Sequence, residues 1–267
     1  MKRLAQFKKI LITLGGLRVK FPLRLLDKRL LVDYNLRSSE ADRDYGVILK
    51  LARGKKCILD VGANHGLISM LVALENPAAH VWAFEASEAA VNIINHNLRL
   101  NQLSDRVHSI NTLVADRSGA TLPFYWEGSS GGASITKGRL GHTIEIEKST
   151  ISIDDFVADK KIVPDFIKMD IEGAESIAIR GMVNTLKNHR PEIFMELHSF
   201  GRLTLVENAG EIAAVLGPLN YHVVYLRTGK PIHDMNAMAD RGRCHLLLTP
   251  VERFSPGDMA KLDLRGL

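Results

Sequence analysis

The sequence has little of what marks secreted, metal-stapled or membrane-spanning proteins. Cysteine occurs only twice in 267 residues, so we expect neither a disulfide framework nor a cysteine metal site, and intracellular residence is the simple inference. No stretch approaches the roughly 18 apolar residues that a membrane span needs. The short apolar run at residues 10–17 is followed by Arg18 and Lys20 and lacks a small-residue cleavage site, so no signal peptide is expected.

The positive charge of the chain is modest and unevenly spread. The formal net charge is +5, and lysines and arginines crowd the first 30 residues, so the remainder is near neutral. This distribution does not favour nucleic acid as a partner. Apolar residues in the same stretch recur at helical spacing, which predicts a basic amphipathic helix. This helix either packs on the folded domain or a second subunit, or lies on an anionic membrane surface, making a cytoplasmic protein peripheral at the inner face of the membrane.

Strands alternate with helices from residue 51 onward, and this alternation predicts an α/β fold with a doubly wound, mostly parallel sheet. The last two strand patterns, at residues 221–227 and 244–249, have no helix between them. We therefore expect an antiparallel strand at the edge of the sheet. No boundary signal follows residue 50, so residues 1–50 are assigned to an N-terminal helical segment and residues 51–267 to one Rossmann-like domain.

The segment Cys57–Gly66 is the most informative part of the chain. A short apolar run ends in Asp60, a loop with Gly62 and Gly66 follows, and a helical pattern covers residues 67–75. A strand, a tight turn and a helix in this order build a nucleotide-sized pocket at the carboxyl edge of a sheet. The glycines allow a ligand to approach the backbone, and the helix N-terminus offers unpaired N–H groups. The third glycine of a dinucleotide loop is missing.

Further acidic residues follow the next two strand patterns. Glu85 closes the pattern at residues 80–86, with Ala86 directly after it. A carboxylate at this place can accept hydrogen bonds from both hydroxyls of a bound ribose. The third pattern, at residues 107–115, is followed by Asp116, which either accepts a hydrogen bond from an adenine amino group or belongs to a plain turn.

The segment at residues 164–175 is rich in acidic side chains. A buried strand pattern delivers Asp170 to the same edge as the glycine loop, and Glu172 follows in a turn. The next strand ends in Glu196 and His198. Because these two residues are two positions apart in a strand, their side chains point to the same face of the sheet.

Three segments together resemble the FkbM family of S-adenosylmethionine-dependent methyltransferases: residues 59–66, 84–86 and 165–175, with residues 195–198 similar to the family's following strand. The resemblance implies a class I methyltransferase fold, with a seven-stranded sheet and one antiparallel edge strand. It implies S-adenosylmethionine as the cofactor and O-methylation of a hydroxyl on a sugar, glycolipid, polysaccharide or secondary metabolite. The expected cofactor-binding residues are Asp60, Gly62, Ala63, Asn64, Gly66, Glu85, Ala86, Asp116 and Asp170.

The expected chemistry requires a group that accepts a proton, because an alcohol ionises far above neutral pH. His198, Asp170 and Glu172 are the candidate catalytic residues. We expect His198 to act as the base, because its ordinary pKa of about 6.5 lies closest to working pH, and Asp170 to orient the substrate or the cofactor amine. Asp170, Glu172 and Glu196 offer oxygen ligands for a divalent ion, but they form no dedicated ligand motif, and no metal is predicted.

The acceptor is expected to be a small molecule, a glycan or a glycolipid, contacted by the glycine-rich loop at residues 128–139. Two alternatives remain: a nicotinamide-dependent oxidoreductase, which the missing third glycine and the absence of a Tyr-x-x-x-Lys pair disfavour, and a non-catalytic cofactor-binding or interaction module. A nucleic-acid base methyltransferase is disfavoured because Asp170–Gly173 stands where such enzymes carry an Asn/Asp-Pro-Pro-aromatic turn. The sequence does not specify an oligomeric state.

Overall fold

The computed structural model describes residues 20–25, 28–33, 43–126, 144–199, 203–238 and 242–264. Its centre is a mixed sheet of eight strands. The predicted amphipathic helix before residue 20 and the loop at residues 128–139 lie outside the described residues. Within the described part, no helix is long and apolar enough to cross a membrane.

Strands and helices alternate, as predicted, over residues 57–111 and again largely over residues 153–225, whereas the described parts of residues 107–151 and 221–250 hold consecutive strands without an α-helix between them. The strands are β1 (Lys20–Leu25), β2 (Lys28–Asp33), β3 (Cys57–Val61), β4 (His80–Glu85), β5 (Val107–Asn111), β6 (Leu113–Val114), β7 (Thr121–Trp126), β8 (Ile144–Ile151), β9 (Phe166–Met169), β10 (Glu192–His198), β11 (Tyr221–Tyr225), β12 (Lys230–Ile232) and β13 (Arg243–Pro250). The helices are α1 (Arg43–Ala52), α2 (Leu67–Glu75), α3 (Glu88–Leu100), α4 (Ile153–Lys160), α5 (Glu175–Arg180), α6 (Val183–His189), α7 (Leu205–Leu216) and α8 (Pro256–Met259).

The main sheet has the order β12-β11-β13-β10-β9-β3-β4-β5, and β3, β4, β5, β9 and β10 run parallel. Helices α1 to α3 contribute to the apolar core on one face, and α4 to α7 to the core on the other. Because the central strands are buried on both faces, they appear in the sequence as continuous apolar runs. The predicted doubly wound, mostly parallel α/β fold is therefore confirmed.

Two details of the predicted sheet differ. The sheet has eight strands instead of seven, because the short β12 pairs antiparallel with β11 and forms the edge. The antiparallel β13 lies inside the sheet, between β10 and β11. Residues 244–250 of β13 are all buried, and a strand with no exposed side chain belongs in the interior of a sheet because an edge strand meets solvent.

The N-terminal segment is not helical where the structure describes it before α1. Strands β1 and β2 form an antiparallel hairpin that pairs Lys20 with Asp33. Leu30 and Val32 are buried whereas Leu31 is exposed, which is the two-residue period of a strand with one face against the core. Asn101, at the end of α3, accepts a hydrogen bond from the Leu31 N–H and donates one to its carbonyl oxygen. This hydrogen-bonded contact docks the hairpin on the domain.

Candidate active site

The glycine loop after β3 is clamped between the two neighbouring strands. The N–H groups of Gly62 and Ala63 donate to the carbonyl oxygen of Phe84 on β4, at 3.0 and 2.9 Å. The N–H of Asp170, directly after β9, donates to the carbonyl oxygen of Val61 at the end of β3, at 3.0 Å. Gly62 has a φ of 80°, and a Cβ there would overlap the carbonyl oxygen of Asp170. The loop can therefore pack against Asp170 only when residue 62 is glycine.

Asp60 lies beneath this loop with its side chain fully buried. The Ser69 hydroxyl on α2 donates to Asp60 Oδ2 at 2.5 Å, and the Lys168 Nζ lies 3.5 Å from Asp60 Oδ1. The carboxylate points into the domain and holds α2 and β9 together. In this position Asp60 supports the loop from within, and its contact with the cofactor stays a prediction.

Lys168 is the central cation of this region, and the sequence analysis did not single it out. Its Nζ donates to the carbonyl oxygen of Gly62 at 2.8 Å and lies 3.7 Å from Asp170 Oδ2. Burial lowers its pKa, but the carboxylates of Asp60, Asp170 and Glu196 outweigh that effect and hold the pKa above its ordinary value. Lys168 stays charged and connects the glycine loop to the acidic end of β9.

Glu85 ends β4 at the same edge and is held by two backbone groups. Its Oε2 accepts a hydrogen bond from the Asn64 N–H at 2.8 Å, and its Oε1 accepts one from the Ser87 N–H at 2.7 Å. Burial raises its pKa, against the opposing effect of these two N–H groups. Each carboxylate oxygen accepts one N–H bond from the chain, so each keeps further acceptor capacity.

The backbone at Asn64 and Gly66 sets the shape of the loop. Asn64 is exposed and has a φ of 50°, a left-handed conformation that asparagine tolerates. Gly66, with a φ of 80°, is the N-cap of α2 and has no side chain to cap it. The first N–H groups of α2 therefore face the loop without a side-chain cap.

Two of the predicted cofactor contacts occupy different surroundings. Ala86 is buried against Leu113 and Phe124. Asp116 is exposed and follows β6, which belongs to the separate three-stranded sheet β6-β8-β7 and not to the main one. Asn111 is the last residue of β5, the edge strand of the main sheet. Its side-chain amide donates to the carbonyl oxygens of Glu85 and Ala86 at 2.9 and 3.0 Å.

His198 lies at the end of β10 inside a ring of carboxylates. Its Nδ1 is 3.2 Å from Glu175 Oε1 and 4.0 Å from Asp170 Oδ1, and its Nε2 is 3.6 Å from Glu196 Oε1 and 3.8 Å from Glu172 Oε2. The structure therefore brings the three predicted catalytic residues together. The acidic groups surround both ring nitrogens, which favours the doubly protonated imidazolium.

The charges in this cluster shift each other strongly. Burial lowers the pKa of His198, but the hydrogen bond to Glu175 and the charges of Glu175, Asp170 and Glu172 raise it to about 9. Burial raises the pKa of Glu172 to about 7, and the positive charge of His198 opposes that shift. At neutral pH the His198 ring is therefore charged, and Glu172 is close to half-protonated.

Glu175 and Asn208 support His198 from the other side, and the sequence analysis assigned them no role. The Glu175 carboxylate is fully buried and its Oε1 also accepts the Gly173 N–H at 3.1 Å. The amide of Asn208 on α7 donates to the His198 carbonyl oxygen at 2.8 Å and to Glu175 Oε2 at 3.4 Å. The sequence alone does not indicate this support, because it does not show which strand lies against Glu175, the first residue of α5.

The comparison with known proteins agrees with this architecture. The family model described as the methyltransferase FkbM domain matches residues 60–223. A release factor glutamine methyltransferase of Burkholderia pseudomallei is 44% identical over 43 residues, which cover 16% of this chain and 15% of that protein. A ribosomal protein L11 methyltransferase of Limosilactobacillus fermentum is 28% identical over 125 residues, which cover 40% and 39%. The match therefore spans well under half the length of either curated relative.

A solved FkbM methyltransferase structure from Methylobacillus flagellatus has a TM-score of 0.47 and 18% sequence identity, and the superposition covers 72% of this chain and 43% of that one. The parallel sheet with an inserted antiparallel strand, and the glycine loop with an acid at the end of the next strand, define a class I S-adenosylmethionine-dependent methyltransferase. The chain belongs to the FkbM methyltransferase family, since that family model covers more than half of it.

The residues at this edge fit S-adenosylmethionine, the cofactor of the class. Glu85 offers two carboxylate oxygens with acceptor capacity for a ribose, and the uncapped start of α2 offers N–H groups. Acidic side chains of Asp170 and Glu172 adjoin the loop, which suits a ligand that carries an ammonium and a sulfonium group. The loop lacks the third glycine of a dinucleotide-binding loop.

Proposed function

We propose that S-adenosylmethionine binds along the edge formed by Gly62–Gly66 and Glu85, with its ribose hydroxyls on the Glu85 carboxylate. The observation that supports this placement is the anchoring of both Glu85 oxygens by backbone N–H groups, which fixes the carboxylate at the end of β4. Asn64 and Ala63 shape the loop through their backbones. For Asp116 to contact the adenine, the bound cofactor must extend as far as the three-stranded sheet β6-β8-β7.

Replacing Glu85 with glutamine should weaken cofactor binding by about 10- to 100-fold, because hydrogen bonds to a charged acceptor contribute about 1.5–3 kcal/mol. The measurement is calorimetric titration of the full-length protein with S-adenosylmethionine. Glu88→Gln is the matched control, since Glu88 is exposed at the start of α3 and should leave the affinity unchanged. Equal affinities in all three proteins would remove Glu85 from the site.

We further propose that the enzyme O-methylates a hydroxyl of a sugar, a glycolipid or polysaccharide, or a secondary metabolite. The cofactor supplies an activated methyl group, so the protein must position the acceptor and take its proton. The cluster of His198, Asp170 and Glu172 provides ionisable groups next to the glycine loop. Asp170 orients the acceptor or the cofactor amine. A glycolipid acceptor would agree with peripheral membrane contact through the basic N-terminal stretch.

Two groups of the cluster compete for the role of base. His198 was the sequence-based candidate, but a pKa of about 9 leaves only a small neutral fraction of its ring at pH 7. Glu172, with a pKa of about 7 and 40% of its side chain exposed, is poised to accept a proton at neutral pH. Its φ of 55° is an uncommon backbone conformation for glutamate, which holds the side chain beside His198. His198 would then act as the cation that positions the carboxylate.

The pH dependence of methyl transfer separates the two candidates. A base works only when deprotonated, so with Glu172 as the base kcat should rise tenfold per pH unit below about 7 and level off above it. With His198 as the base, the rise should continue to about 9. The measurement is transfer of a labelled methyl group to a panel of glycans, glycolipids and hydroxylated metabolites. In Glu172→Gln the rise of kcat below about pH 7 should disappear, whereas a wild-type pH profile in that variant would exclude Glu172 as the base.

A further inference from the structure

Three side chains from α1, β10 and β13 converge on one another beside the His198 cluster, and Glu196 belongs to both groups. Asp44 lies on α1, Glu196 on β10 and His245 on β13, directly opposite Glu196 in the sheet register. The Nε2 atom of His245 is 3.0 Å from Asp44 Oδ2 and 3.7 Å from Glu196 Oε2. One donor atom from each residue lies within 4.8 Å of the others. Metal–ligand bonds of about 2.0–2.2 Å place neighbouring ligand atoms about 3.0–3.5 Å apart. The Asp44 distance fits a shared ion as it stands, and the Glu196 carboxylate would move slightly closer on binding.

The His245 side chain is the second observation that points to a ligand. Only 8% of it is exposed, and its Nε2 makes no hydrogen bond within the part of the chain that the structure describes. A proton on Nε2 would point along one direction in the plane of the ring, toward a single acceptor. Two carboxylates instead converge on this nitrogen, at 3.0 and 3.7 Å, and a cation can be shared by all three groups.

The His198 cluster differs in this respect. There the carboxylates are divided between the two ring nitrogens, with Glu175 and Asp170 beside Nδ1 and Glu196 beside Nε2. A single ion cannot occupy both sides of one imidazole. At His245 the carboxylates share one side, and the other oxygen of Glu196 is held by Arg243 at 2.7 Å, which fixes the direction of Oε2.

We propose that Asp44, Glu196 and His245 form a binding site for a divalent first-row transition-metal ion. The imidazole of His245 favours zinc over magnesium, and the carboxylates of Asp44 and Glu196 also suit manganese. The three ligands come from three separate elements, so the ion connects α1 to the two strands. Asp44, with 22% of its side chain exposed, opens the site to solvent and leaves room for water ligands.

The test is calorimetric titration of the chelator-treated full-length protein with zinc chloride and with manganese chloride, with magnesium chloride for comparison. Wild-type protein should bind one zinc or manganese ion and melt about 5 °C higher in its presence. His245→Asn and Asp44→Asn should each lose more affinity than the roughly 10- to 100-fold that loss of an outer partner costs. His222→Asn, on β11 and outside the triad, is the matched control and should bind as wild type.

The metal site is overturned if wild-type protein shows no saturable binding, since the triad is then an imidazolium paired with two carboxylates. It is also overturned if both triad variants bind as wild type, or if the His222 control loses as much affinity as they do. If His245→Asn does not fold, the zinc affinity of Asp44→Asn tests the site instead. X-ray absorption of the zinc-loaded wild type should show ligands at about 2.0–2.2 Å together with the outer-shell scattering of one imidazole ring. Absence of the imidazole signal would exclude His245.

Discussion

Gly62→Ala is expected to abolish measurable S-adenosylmethionine binding and to destabilise the fold by several kcal/mol. The new Cβ would overlap the Asp170 carbonyl oxygen, so the loop or the end of β9 must move. A left-handed φ of 80° adds about 1–2 kcal/mol for any residue with a Cβ. Both elements carry site residues, so the displacement should disturb Asn64 and Asp170 together. Urea denaturation and calorimetric titration measure the two effects.

Gly54→Ala is the matched control for this prediction. Gly54 has a φ of 78°, nearly that of Gly62, but a Cβ there would have no atom within 4 Å. The control should therefore show only the cost of the backbone conformation, about 1–2 kcal/mol, with unchanged cofactor affinity. If both variants lose the same stability and both bind the cofactor, the close approach of the loop to Asp170 has no functional importance.

Lys168→Met is expected to cost about 3–5 kcal/mol of folding free energy, because it leaves buried carboxylates without their cation. Asp60 has no exposed surface, so its charge cannot be screened by water once Lys168 is gone. The variant also removes the hydrogen bond to the Gly62 carbonyl oxygen. We therefore expect weaker cofactor binding in the fraction that remains folded. Denaturant titration and calorimetry measure the two losses.

Two further variants separate the buried charge from a general loss of a lysine. Lys261→Met breaks an ion pair with Asp258 whose side chains are 76% and 63% exposed, and it should cost less than about 1 kcal/mol. Asp60→Asn in the Lys168→Met background removes the uncompensated charge and should recover part of the stability. No recovery in the double variant would show that packing of the lysine stem, and not charge, carries the effect.

The fold could be predicted where local pattern and tertiary position agree. The apolar run of β3, the glycine loop and α2 form one local unit, so the sequence was sufficient there. The position of β13 depends on which strands it pairs with, and only its unbroken apolar character pointed to the interior. The β1–β2 hairpin was missed because the helical spacing of the upstream residues was extended over it, although residues 30–32 alternate with a strand period.

The residues of the site likewise fall into those that the sequence predicts and those that it does not. Glu85, Asp170 and His198 could be predicted because strand ends at one edge of a parallel sheet meet. Lys168 and His245 could not, since the partners that make each of them necessary lie on other strands and helices. A charged residue inside a buried apolar strand, as Lys168 is in β9, is nevertheless a sign that a counter-charge must lie nearby. The pKa of His198 depends on the carboxylates of Asp170, Glu172 and Glu175, which lie in another segment, so the strand that carries His198 gives no sign of it.

The central claim is that the methyl donor lies along Gly62–Gly66 and Glu85 with its reactive end toward the His198 cluster. The most direct measurement is a crystal structure of the protein with S-adenosylhomocysteine. We expect the ribose hydroxyls to be hydrogen-bonded to the Glu85 carboxylate and the sulfur atom to lie on the side of Asp170, Glu172 and His198. A bound ligand whose ribose lies away from Glu85, or whose sulfur faces away from that cluster, would contradict it.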